Sequence, residues 1–238
     1  DFNPASLVSQ VPELQKLIID SGEWGMASNN GFSNVTNQDV QVNANGVLAI
    51  YRNKDFSANI TLNDGGKILN NQGNDANDRT TNINGTITLV GSGNEIEAQK
   101  GSGAGTVSIN INAIISGSGE IESMGTGTVT LTTLNTHTGE TTVSAGTLIL
   151  LNATGTSLAS HLNVTGGTVR LAAAGQFANT ASVNIASAGI VDMNGFDGTV
   201  TGLQFDSGSA KAEGTYGSTG SAAVTEQNDT YFAAGSTG

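Results

Sequence analysis

The chain contains no cysteine, which excludes disulfide bracing and thiolate chemistry and leaves its redox compartment unspecified. Proline is nearly absent too: Pro4 and Pro12 are the 2 prolines, so nothing after Pro12 takes a hydrogen-bond donor out of a central strand. Basic residues number 8 against 20 acids, a formal net charge of −12, and none lies between Gly101 and Val169. Nucleic acid is therefore not an expected partner, because phosphate binding needs clustered Lys and Arg. Aromatics make up 5% of the chain, too few to floor a sugar-binding cleft. No apolar run reaches the roughly 18 residues of a membrane-spanning helix. The chain opens at Asp1 without Met or a signal-type segment, and the expectation is a leader already removed or trimmed ends. No Gly-x-Ser-x-Gly elbow, Walker loop or His-Glu-x-x-His occurs.

What is abundant is glycine, 33 of the 238 residues, spaced between short runs of Val, Ile, Leu and Thr. Such runs favour strands, and glycine supplies the positive φ of the turns between them. The pattern of a Gly or Asn followed by an apolar strand recurs at Gly46, Gly66, Asn94, Gly119, Gly146, Gly167 and Gly189. A period in this range, roughly 20 to 30 residues, belongs to solenoids, whose units bury their apolar face only by stacking. Val90–Glu97 followed by Gly105-Thr-Val-Ser-Ile is answered by Ile115–Glu122 followed by Gly127-Thr-Val-Thr-Leu. One strand–turn–strand template is used twice. Asn and Thr fall at strand ends and mid-strand, where stacked amides and hydroxyls can bond from coil to coil. The expected fold is all-β: one elongated, single-stranded parallel β-helix.

The first thirty residues differ. Val11, Leu14, Leu17 and Ile18 recur at near-helical spacing after Pro12, with Glu13 where a helix N-terminus favours an acid. This predicts a short helix over about Pro12–Ile19, within a helical or extended N-terminal segment. It is read either as a cap over the open first coil or as an assembly arm reaching a neighbouring molecule. The expected division is residues 1–30 as cap or arm, 31–206 as β-helix and 207–238 as closing segment and tail. Leu7, Val8, Val11, Leu14, Leu17 and Ile18 are the assembly candidates, with strand addition by Leu7–Val11 or Leu17–Asp20 as the expected mode.

Candidate chemistry is sparse. Glu95 and Glu97 correspond in the template to Glu120 and Glu122, so adjacent coils would place like carboxylates about one strand spacing, ~4.8 Å, apart. Bridging calcium, raised pKa values or splayed, solvated side chains would each neutralise the ladder, and solvation is the favoured reading. No cofactor is expected, with calcium at these four glutamates as the single candidate. The oxygen-rich Asn70–Asp78 matches no calcium-loop spacing and reads as a solvated turn. Asp192, Asn194 and Asp197 read as structural. His137 and His161, the only histidines, are separated by close to one coil of chain, yet two histidines without a third ligand make a poor zinc site. Both read as exposed turn residues. Six Asn-x-Ser/Thr matches, Asn59-Ile60-Thr61 among them, follow from composition alone.

Four elements in order, Ser116–Gly119, Gly125–Thr128, Asn135–Gly139 and Ser144–Leu148, resemble the autotransporter-associated β-strand repeat of bacterial surface and passenger proteins. Val191–Val200, Gly214–Gly220 and Asp229–Phe232 are similar to segments that follow such repeats. The resemblance covers about Ile115–Phe232 and is weak before Val90. His137 and Glu140 depart from the aromatic and glycine more usual in that turn. The resemblance implies a right-handed parallel β-helix, secreted and displayed outside a bacterial cell, with no catalytic residues in the repeat. No series of alternating ten-residue strands with aromatic girdles occurs, as an outer-membrane barrel would need. The chain is thus expected to be a passenger segment or a free-standing extracellular protein.

The leading expectation is a non-catalytic extracellular structural protein, a self-associating subunit of a cell-surface fibre or layer joined head to tail. The alternative is a monomeric adhesin-type passenger domain whose lateral face binds a host, cell or glycan surface. A polysaccharide-degrading β-helix is disfavoured, since only Arg170 and Lys211 are basic after Lys100 and paired acids alone do not bind an acidic sugar.

Overall fold

The computed structural model describes residues 16–26, 38–51, 53–71, 76–196, 198–205 and 224–226. Strands account for its regular structure. In chain order they begin with β1 (Lys16–Ile19), β2 (Gly22–Met26), β3 (Gln38–Val42), β4 (Gly46–Ile50), β5 (Lys54–Asn63), β6 (Lys67–Asn71) and β7 (Arg79–Val90). The middle of the chain supplies β8 (Asn94–Gln99), β9 (Val107–Ile111), β10 (Ile114–Gly117), β11 (Ile121–Met124), β12 (Thr128–Leu131), β13 (Thr141–Val143) and β14 (Thr147–Leu150). Last come β15 (Leu162–Val164), β16 (Thr168–Leu171), β17 (Ser182–Ile185), β18 (Ile190–Asp192), β19 (Gly198–Val200), β20 (Gly202–Phe205) and β21 (Val224–Glu226).

One sheet runs β1-β3-β5-β7-β9-β12-β14-β16-β18, and a second runs β2-β4-β6-β8-β11-β13-β15-β17-β20. Every pairing within them is parallel, so each coil of chain lays one strand on each sheet and climbs one rung. The architecture is the β-solenoid that the periodicity predicts. A third face begins where β7, a continuous twelve-residue strand, meets both β9 and β10. Gly85 lets β7 turn this corner: its φ is +101°, and a Cβ there would lie 2.3 Å from the Ala58 carbonyl oxygen. The next coil breaks at Asn112 and Ala113 between β9 and β10. Further along, residues 134–138 stack on β10 through Thr136 N–H to Ile115 O (2.8 Å) and Thr138 N–H to Gly117 O (2.9 Å). The face continues through the Leu158–Phe177 bridge to β19, which pairs with β21.

Alternation along the strands sends every second residue inward, and equal residues stack into columns. Val40, Ile60, Ile87 and Ile115 form one such column, and Ile83, Ile111, Leu131, Leu150 and Leu171 another, all buried. Along the second sheet successive rungs align Trp24, Leu48, Ile68, Ile96, Ser123, Val143, Val164, Ile185 and Phe205. The coils from Ile68 to Ile96 and from Ile96 to Ser123 are the longest of this series, yet the strands stay in line.

Two sequence expectations are corrected here. The series of glycine positions crosses between sheets, since Gly119 precedes β11 in the second sheet and Gly146 precedes β14 in the first. The interval from Gly119 to Gly146 is therefore not one coil; the rung after Ile121 is Thr141. Nor do Lys16–Ile19 form helix: they are β1, paired in parallel with β3, while Pro12–Gln15 lie outside the described residues. Leu17 and Ile19 join the inward columns of Val40 and Val42, and that pairing overrides a weak helical spacing. The stack thus includes Lys16–Met26, within the stretch expected to be cap or arm.

Candidate functional site

The four glutamates are the natural starting point, and their register differs from the template. Glu95 pairs with Glu122 and Glu97 with Met124, whereas Glu120 lies before β11 and is exposed. The copies are offset in space by two positions more than the sequence match implies, because Gly117 already pairs with Leu89, 28 residues away, and the turn that follows takes up only one residue of that difference. An even shift preserves inward and outward faces, so the alternation of the template survives it. Neutralisation comes from Lys67, on the rung below Glu95. Its ammonium lies 2.7 Å from Glu95 Oε2 and 2.8 Å from Glu97 Oε2, where a bridging cation would otherwise sit. Partial burial pulls the Lys67 pKa down, but hydrogen bonds and charges from the two glutamates outweigh it and hold it above the ordinary lysine value. Glu122 instead accepts a hydrogen bond from Ser144 Oγ. No group of three or more metal-binding side chains occurs among the described residues. Lys67 carries a sequence signal: Gly66-Lys67-Ile68 and Asn94-Glu95-Ile96 occupy successive positions of the same series.

The outer surface carries side-chain ladders of one polarity. Asn43 Nδ2 donates to Asp20 (2.6 Å) and Asn63 Nδ2 to Asn43 (2.8 Å). Asn59 donates to Asp39 and Thr86 to Asn59 (3.1 Å each). Asn82 donates to Asp55 (2.6 Å) and Asn110 to Asn82 (2.8 Å). Asn163 donates to Glu140 (3.3 Å) and Asn184 to Asn163 (3.0 Å). Each ladder starts at a carboxylate, which only accepts, so every amide above must turn its nitrogen back toward the first coil. Asp78 heads a shorter one: it accepts from the Thr106 N–H and hydroxyl (2.8 Å each), which lowers its pKa. Asp20, Asp39, Asp55, Asp78 and Glu140 are thus ladder heads, and the expected rows of stacked Asn and Thr are present.

His137 departs from the expected exposed turn. It is 1% exposed on the third face, because residues 134–138 stack on β10 and alternate inward like a strand. Its Nε2 meets Thr141 Oγ1 at 2.8 Å, and Nδ1 has no protein partner. Beside it lies a cavity of about 10 Å³ lined by Ile96, Ile121, Ser123, Val129 and Leu131 among others, room for the centre of one water. Burial pushes the His137 pKa down to about 4. His161 is exposed and meets Ser182 Oγ at 2.5 Å. The two histidines therefore face different environments. Gln176, fully buried, ties the neighbouring corner: its Oε1 accepts from Ser157 Oγ (2.6 Å) and Asn152 N–H (2.9 Å), and its Nε2 donates to the carbonyls of Asn152 and Ala174 (2.8 Å each).

The oxygen-rich loop is split: Asn70 is buried in β6 with Nδ2 on the Ser108 carbonyl (3.1 Å), and residues 72–75 lie outside the described residues. Asp192 and Asn194 hold Arg170, at 3.5 Å and 2.9 Å, while Asp197 lies outside the described residues.

Of the assembly candidates, Leu7, Val8, Val11 and Leu14 lie outside the described residues. Leu17 and Ile18 sit on β1, Leu17 partly buried against the core and Ile18 51% exposed. Leu17–Ile19 already form a rung of their own sheet, so only the outer edge of that strand has no described partner strand. The same is true of β2, and of β18 and β20 at the other end. Three apolar residues pack on the core while only partly buried: Leu17, Trp24 and Phe196. Leu17 and Trp24 lie on the first described rungs and Phe196 just after the last described rung of the first sheet, where no further described coil of the two sheets covers the columns. Tyr51 folds over Gly25 near the same end, its hydroxyl on Glu23; burial first, then that bond and charge, hold its pKa above the usual phenol value. Compared with known proteins, the chain matches no protein-family model, no curated protein and no solved structure.

Proposed function

We propose that this chain is a non-catalytic structural protein of the bacterial cell exterior, a subunit that associates head to tail into a surface fibre or layer. The observation that carries this reading is the character of the two ends. Each presents parallel strand edges with a described partner on one side only, and the half-covered apolar residues of the core, Leu17, Trp24 and Phe196, gather there. Ile18 and Ile190, 51% and 43% exposed, stand on the first and last rungs of the first sheet. An end of one copy offers the other end of the next the hydrogen bonds and apolar columns of a further rung, and a contact between unlike ends that does not close makes a filament. The likeness of Ile115–Leu150 to a secreted bacterial repeat supports the extracellular setting. The Lys67–Glu95–Glu97 cluster supports a structural role, since its charges satisfy one another.

The test is negative-stain imaging across protein concentration, with Trp24→Glu and a variant lacking residues 1–15 alongside. Filaments that lengthen with concentration and disappear in Trp24→Glu are the expected result. Particles that remain single rods of roughly 40 Å, nine rungs at about 4.8 Å each, would sink head-to-tail association and move the weight to a monomeric adhesin.

A further inference from the structure

The three faces of the stack differ in charge. The first sheet presents charges of both signs, Lys16, Asp39, Lys54, Asp55, Arg79, Arg170 and Asp192, and the second presents Lys67, Glu95, Glu97 and Glu122. Between β7 and β19, the third face and the corner that leads into it are assembled from residues 114–119, 133–139, 151–160 and 172–181, which contain no Asp, Glu, Lys or Arg. The single titratable group there, His137, points inward. Along the same corner run three of the six exposed large hydrophobics among the described residues: Ile114 (46%), Leu134 (52%) and Leu151 (42%). They are brought together by the coil register. Thr133 Oγ1 on the Ala113 carbonyl (2.7 Å) and Thr136 N–H on the Ile115 carbonyl (2.8 Å) set Leu134 above Ile114. Leu151 N–H bonds the Leu131 carbonyl (2.8 Å), and Leu134 Cδ1 lies 3.9 Å from the Cβ position of Gly155 in the loop after Leu151. Exposed Thr136 and Thr138 flank this ridge on the face itself.

We propose that this face is a lateral contact between copies of the chain, so that head-to-tail files pair side by side. The occupant is argued from charge. Each copy carries a formal charge of −12, so two copies repel on approach, and a neutral face edged by apolar side chains is where they meet at least cost. Glu120 and Glu140 border the face on the second-sheet side, so added salt, which screens that repulsion, strengthens the contact. The face measures about 14 Å along the stack by about 16 Å across, roughly 220 Å², from strand rise and spacing. That is far below the ~800 Å² per partner of a stable pair. The contact is therefore weak between two single copies, and it multiplies when copies are already strung in a file. To that extent the inference rests on the proposed assembly.

The cysteine-free chain makes the test clean. Thr136→Cys places a single thiol on the neutral face, and Ala44→Cys places one at an exposed turn between the other two sheets as control. Each full-length variant is treated with a short bismaleimide at low and high salt. Thr136→Cys should cross-link to dimers at least about tenfold faster than Ala44→Cys, the gain expected from raised effective concentration, and faster still at high salt. Adding Leu134→Glu should return it to the control rate. Equal, collision-limited rates for the two thiols would overturn the lateral contact, whether or not imaging shows filaments. Fast Thr136→Cys cross-linking without filaments would keep the contact and remove the head-to-tail reading. Single, unpaired files with equal cross-linking rates would do the reverse.

Discussion

The two halves of the stack are held together differently. Among the described residues, ten of the twelve buried isoleucines lie between Ile19 and Ile115, and Phe56 is the bulkiest fully buried side chain. Among the described residues, nine of the twelve buried polar residues lie between Ser123 and Gln176. The strands change with the core: β5 and β7 have ten and twelve residues, whereas β11 to β18 have three or four. Wide coils enclose enough volume for stacked isoleucines, and their continuous strands satisfy their own backbone. Narrow coils turn three corners in short order, and each corner leaves backbone groups that Asn135, Asn152, Ser157 and Gln176 then satisfy from inside. One end relies on hydrocarbon volume and the other on hydrogen-bond geometry.

Substitutions in the two halves should separate these mechanisms. The largest effect is expected from Phe56→Ala, which opens a cavity among fully buried neighbours and should cost about 3–5 kcal/mol in denaturant unfolding. Gln176→Ala takes the Asn152 N–H and two carbonyls from their partner and leaves the Ser157 hydroxyl only a long bond to the Leu131 carbonyl (3.5 Å), and should cost about 3 kcal/mol. Gln176→Leu should recover little of that, whereas Phe56→Leu should recover most of its loss. If Gln176→Leu proved neutral, the C-terminal half would be a hydrophobic core like the other.

A pH titration of stability sharpens the contrast further. His137 has a pKa lowered to about 4 in the fold, against 6.5 for a free histidine. Below pH 6.5 the unfolded chain takes up a proton that the folded chain refuses, so stability falls as pH drops toward 4 and levels off below it. The total is about 3 kcal/mol, at roughly 1.4 kcal/mol per pH unit. His137→Leu should remove this slope between pH 6.5 and 4, measured by urea unfolding at a series of pH values. An unchanged slope would mean that the imidazole is not buried neutral. The smallest effect is reserved for the outer surface: Lys67→Met should cost about 1 kcal/mol or less, since the ion pairs are partly exposed, and should lose its salt dependence.

Much of the fold is legible in the sequence because strand composition and glycine turns are local properties. Gly46, Gly66 and Asn94 each open a second-sheet strand or directly precede one, as expected. What escapes the sequence is longer in range. Register between coils depends on the whole length of each coil, so the repeat aligns Glu95 with Glu120 rather than Glu122, and the series that places Lys67 beside Glu95 gives no sign that its ammonium also reaches Glu97. The segment around His137 carries the polar composition of a turn, and only stacking on β10 gives it an inside. The ends are half legible: the apolar residues at positions 17 and 18 stand out, but Trp24 and Phe196 give no signal, since nothing local marks a residue as last in a column.

The rung bonds also decide how the molecule yields to load. In a parallel stack they run along the long axis, so tension applied through the two ends pulls on them nearly in line, one rung at a time. Each coil that lets go replaces a rise of about 4.8 Å with a free strand of roughly 3.4 Å per residue. Short coils, such as Leu48 to Ile68 or Val143 to Val164, release roughly 70 Å each, and the long ones from Ile68 to Ile96 and Ile96 to Ser123 roughly 90 Å. The uneven coil lengths thus amount to a graded extension, long and irregular before Ser123, short and even after it. A fibre of such units would take up a sudden pull by lengthening before it breaks.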